Sequence, residues 1–137
     1  MSAQAPAGTL TITDARERCA AALAPVLPTD PDVLVNLVDA ISPPVLMVGW
    51  DDPWLEPSGT CRFVARLVVY CWAGRLEPGE GVSVLEGLVA HVVQRMTADG
   101  YSWGQATVSA PRAYPFANID YLASRVTYAV HVTTEGE

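Results

Sequence analysis

Apolar and polar side chains alternate across residues 60–73, TCRFVARLVVYCWA, with Cys61, Phe63, Ala65, Leu67, Val69, Cys71 and Ala73 on one side and Arg62, Val64, Arg66, Val68, Tyr70 and Trp72 on the other. That period of two predicts a long strand with a core face and a half polar, half aromatic face. The period then changes. Leu85, Leu88, Val89, Val92, Val93 and Met96 recur at three- and four-residue spacing, predicting a helix opened by Ser83 and Glu86 in capping-box spacing and closed by Gly100, with Glu86, Gln94 and Arg95 facing water. An earlier helix runs from an N-cap at Thr13, with Asp14 and Glu17 in its first turn, to about Ala24, where Pro25 stops it. Its narrow stripe is Ala15, Cys19, Ala22, Leu23 and Val26.

Residues 33–38 and 45–50 read as short strands, and Pro43 and Pro44, which donate no ladder hydrogen bond, mark where the second begins. Two further strands cover 105–110 and 119–133, joined by the loop PRAYPFAN at 111–118. The last places Leu122, Val126, Tyr128, Val130 and Val132 against Tyr121, Ala123, Arg125, Thr127, Ala129 and His131 on its other side. The order α-β-β-β-α-β-β predicts an α+β fold, a mostly antiparallel sheet with two helices packed on one face. Residues 1–12 form a flexible N-terminal arm in this reading, and 13–137 a single domain.

With 137 residues the chain is long enough for one hydrophobic core without a metal or disulfide staple. Half the residues are hydrophobic and 17% are charged, which fits a globular protein with apolar surface left for a partner. The net charge of −7 disfavours a nonspecific grip on phosphate backbones, and all eight basic residues are arginine. Cys19, Cys61 and Cys71 form no C-x-x-C pair; they read as small buried residues of a protein made in a reducing cytoplasm. Nothing in the sequence reads as a secretion signal or a membrane span.

The search for chemistry returns little. His91 and His131 lack neighbouring ligands, so no metal is expected, and Asp51 and Asp52 read as a turn opener beside Pro53 rather than an acid/base pair. There is no G-x-S-x-G elbow, phosphate-binding loop or dinucleotide fingerprint, so no cofactor and no enzymatic activity are predicted. The aromatics stand out instead: Trp50 and Trp54, Tyr101 and Trp103, then Tyr114 and Phe116 fall in irregular segments. Aromatic and arginine side chains are the material of binding hot spots. Trp50, Trp54, Arg62, Arg66, Tyr70, Trp72, Arg112, Tyr114 and Phe116 are therefore the expected subunit or partner contacts.

The run PPVLMVGW at 43–50, the arginine-bearing strand 60–74, the helix after LEPGEG and the late IDYLASRVTYAV at 119–130 together resemble the small tail-terminator and head-to-tail joining proteins of long-tailed phages, particularly those of actinobacterial hosts. The resemblance spans about residues 13–133. It implies a non-enzymatic virion protein, made in the host cytoplasm, whose copies close into a ring, a hexamer in that family. Such a ring caps the tail tube, ends its polymerisation and presents a surface to the head-side connector. It implies contact arms at 50–59 and 111–118, and DNA that passes through the ring without being specifically bound; no membrane is involved. A head-completion or neck connector is the alternative; from other classes come a small cytoplasmic enzyme or ligand-binding domain with a pocket lined by Tyr, Trp and His131, and a monomeric adaptor whose aromatics are simply core.

Overall fold

The computed structural model describes residues 9–35, 41–75 and 81–134. Two helices and seven strands follow in the order β1 (Leu10–Thr11), α1 (Ile12–Leu23), β2 (Asp32–Leu34), β3 (Val45–Gly59), β4 (Arg62–Arg75), α2 (Gly81–Ala98), β5 (Ala106–Val108), β6 (Arg112–Phe116) and β7 (Ile119–Thr133). The α+β class holds, but the sheet is mixed rather than mostly antiparallel. β1 runs parallel to β7 and β2 parallel to β3, whereas β3–β4, β4–β7, β5–β7 and β6–β7 are antiparallel. Strands of two and three residues carry too little pattern for the sequence to fix their direction.

β4 and β7 are the spine. β7 pairs with β4 along one edge, and its other edge is shared by β6, β5 and β1 in turn; β3 and then β2 extend the sheet beyond β4. The 14- and 15-residue spine strands alternate cleanly, so each has a face for the helices. That face buries Leu46, Val48, Ala65, Leu67, Val69, Cys71, Val126, Tyr128, Val130 and Val132 beneath Ala15, Cys19 and Leu23 of α1 and Leu85, Leu88, Val92 and Met96 of α2. Both helices therefore lie on one face.

α1 begins two residues before its expected start. Thr11, not Thr13, is the N-cap, its Oγ1 accepting the Asp14 N–H at 3.2 Å. Leu10 and Thr11, expected in the arm, pair with Val132 and Thr133; residues 1–8 of that arm lie outside the described residues. The helix ends at Leu23 because Ala24, which precedes Pro25, turns extended, with ψ at 140°. Val26 is consequently not in the buried stripe but 75% exposed. Arg95 of α2, expected in water, seals this helix end. It donates to Ala22 O at 3.0 Å and Ala24 O at 2.6 Å and pairs with Asp30 at 3.5 Å.

α2 begins at Gly81, so Ser83 and Glu86 lie inside the helix rather than capping it; its close follows expectation, with Gly100 at φ 83°. The strand expected over 33–38 is described only as β2, since 36–40 fall outside the described residues. Cys61 is also misplaced by the alternation. It sits at φ 55° in the exposed turn between β3 and β4, whereas Cys19 and Cys71 are buried. Burial pushes both of those thiols up to about 12, leaving them inert packing groups.

The face away from the helices is not left open. Ile41, Val45, Met47, Trp72, Tyr121 and Ala123 form a second buried cluster there, and Val68 is fully buried as well. The expected loop 111–118 supplies part of the cover, since it is a hairpin. Arg112–Phe116 pairs with Ile119–Ala123 through a two-residue turn whose residues, Ala117 and Asn118, have φ of 50° and 65°.

Candidate subunit interface

The segment 50–59, expected as a loop arm, is an extension of β3 interrupted by a bulge. Trp50 pairs with Leu67 and Leu55 with Ala65, so residues 51–54 stand out opposite Arg66 alone. Two arginines of the helix-free face tie the bulge down. Arg66 donates to Pro53 O at 3.1 Å and pairs with Glu56, and Arg125 of β7 reaches Asp51 at 3.3 Å. Asp51 also accepts the Asp52 N–H at 2.9 Å, so inside the β3 bulge it holds a backbone donor and an ion pair rather than opening a turn as expected. Pro53 and Pro57 remove backbone donors from this edge, a device that discourages strand pairing with another chain. What this edge offers to the outside is therefore side chains rather than backbone hydrogen bonds.

Trp50 and Trp54 are in contact, their ring centroids 5.0 Å apart and their planes tilted by 43°. They are not equivalent. Trp50 packs against the main core, while Trp54 is 39% exposed at the tip. The pair thus presents one indole outward on a base held by the other.

Four further candidates converge on the helix-free face. Trp72 is within 6.0 Å of Tyr70, 6.3 Å of Tyr114, 5.7 Å of Phe116 and 5.9 Å of Tyr121, centroid to centroid. Ala123 stands between Trp72 and Arg112 in the register, its methyl leaving room for the β6 rings to close over the indole. Trp72 is therefore buried in its own chain, and the surface this cluster offers consists of half-buried Tyr70, Tyr114 and Phe116. Arg112 projects from the same hairpin, exposed. Arg62 lies elsewhere, beside a cleft of about 970 Å3 whose lining also includes Arg18, Tyr101 and His131. Among the described residues no carboxylate lines that cleft.

Of the other aromatics in irregular segments, Trp103 belongs to the core. Its indole donates to Asp99 at 3.0 Å, and the same carboxylate oxygen holds Arg18 at 2.9 Å, with the guanidinium 5.0 Å above the Tyr101 ring. This latch joins α1 to the segment after α2.

Sequence reasoning missed the aliphatic surface. Val26, Leu27, Val82 and Val84 are exposed, and with Trp54 and Val108 they are the large apolar side chains left uncovered among the described residues. The available signal was positional. Val82 and Val84 fall off the Leu85–Leu88–Val92 stripe, and Leu27 sits between Pro25 and Pro28. Among the described residues no group of three or more His, Cys, Asp and Glu gathers to hold a metal ion, and no helix is long and apolar enough to cross a membrane. No protein-family model and no curated protein matches the chain.

Proposed function

We propose that the protein is a ring-forming structural component of a phage virion, one that caps the tail tube and joins the tail to the head connector. The observation that carries this reading is the split exposure of apolar groups. Trp54 on a pinned arm, the Tyr70–Tyr114–Phe116 surface, and Val26, Leu27, Val82 and Val84 lie in three separate regions, more than one binary contact needs. A subunit of a ring that also meets a tube and a connector requires several such surfaces, two for its neighbours and others for the structures above and below. The resemblance of residues 43–50, 60–74 and 119–130 to tail terminators supplies the particular assembly.

Closure through opposite sheet edges turns one face of each sheet toward the bore. The helix layer, with Asp14, Glu17 and Glu86 exposed, suits that position, because a wall that repels phosphate does not trap moving DNA. A neck connector would use the same features. The test is immunogold labelling of virions and of tails from a head-defective infection. Label at the head-proximal end of free tails supports the terminator; label only on filled heads transfers the protein to the neck; label on neither structure refutes a virion role.

A further inference from the structure

Pro28, Pro31, Pro44 and Val84 wall a cavity of about 400 Å3 beside β2, and Thr29, Asp30, Asp32 and His91 give it a polar lining. Asp32 is exposed, and its carboxylate makes no ion pair with the described residues; His91 Nε2 is buried without a hydrogen-bond partner. Val26, Leu27, Val82 and Val84, four of the six large apolar side chains exposed among the described residues, belong to the two segments that build this cavity or adjoin it. Proline walls, a polar floor in which Asp30 is already held by Arg95 while Asp32 is not, and an uncovered apolar rim describe a receptacle for a cation on an apolar stem.

The opposite edge of the sheet carries such a cation. Arg16, Arg18, Arg66, Arg95 and Arg125 are each held by a carbonyl or carboxylate of their own chain, and Arg62 is engaged too. Arg112 on β6 is the one arginine among the described side chains that has no partner, and it is exposed beside Tyr114. In the sheet order β6-β7-β4-β3-β2, Arg112 and Asp32 are separated by four strand spacings, roughly 19 Å, so one molecule cannot join them.

We infer that Arg112 of one copy enters the β2-edge cavity of the next, its guanidinium paired with Asp32 and its stem against the proline wall. A guanidinium fits a carboxylate in a two-pronged hydrogen bond. Because the two partners lie at opposite edges, the contact is heterologous and repeats from copy to copy until the ring closes. The inference rests on the ring reading above and names its lateral contact.

Charge reversal tests it. Arg112→Glu and Asp32→Arg, both at exposed positions, each weaken self-association at least about tenfold in sedimentation, with unchanged far-UV circular dichroism. Arg112→Gln, which loses the charge and keeps similar bulk, does the same. Mixing the Arg112→Glu and Asp32→Arg proteins restores assembly, since alternate interfaces then hold Glu against Arg and the native Arg112 against Asp32. Single variants that assemble like the unmodified protein, or a folded mixture that stays dissociated, overturn the inference while leaving the ring intact as a reading. An unmodified protein that never self-associates overturns both.

Discussion

Trp50 and Trp54 are alike in sequence and unlike in the structure, and under the proposed ring the difference separates folding from assembly. Trp50 carries part of the main core, so Trp50→Ala removes packing from a half-buried site and costs about 2–3 kcal/mol in urea unfolding. Trp54 leans on Trp50 with 39% of its surface exposed, so Trp54→Ala changes stability by less than about 1 kcal/mol and weakens assembly instead. Equal losses of stability at the two positions would place both indoles inside the protomer. Residue identity announced an aromatic arm here. What it could not show was which indole lies on the Leu67 side of β4 and which caps the bulge, because the four-residue bulge changes the alternation between them. Arg95 was opaque for a related reason. The carbonyls of Ala22 and Ala24 that it binds belong to another helix, and no pattern within α2 records them.

At the scale of elements, long alternating runs were the legible part. β4, β7 and α2 appear where the period of the side chains places them, and the two faces of β7 are as read. Short or unusual elements were not. The β6 hairpin was hidden by Pro115, which argues against a strand interior, and by a turn of Ala117 and Asn118 that lacks the usual glycine. Pro115 is accommodated because β6 is an edge strand, and Ala117 because the turn holds it at φ 50°. An alanine in that left-handed conformation is strained by roughly 1 kcal/mol, so Ala117→Gly raises the melting temperature by a few degrees in calorimetry. A lower melting temperature would mean that the greater freedom of glycine in the unfolded chain outweighs the relief. The hairpin matters beyond its own stability, because it covers Trp72 and presents Arg112.

For the whole molecule, the α+β class and the shared face of the two helices followed from the order of periods, while the mixed pairing did not, since β1 and β2 are set by long-range contacts of two or three residues. The buried second face changes how surplus apolar surface is understood. Trp72, expected as an anchor for a neighbour, is sealed by its own hairpin, and the large apolar groups left outside among the described residues are Trp54, Val108 on β5, and the valines and leucine around the β2-edge cavity. The proposed ring therefore depends less on a row of aromatic anchors than on the inferred fit between two dissimilar sheet edges. Light scattering on the purified protein, run across a range of concentrations, tests that dependence most directly. A stable species at about six times the 14.6 kDa chain mass is the predicted result, and a monomer throughout the range would contradict it.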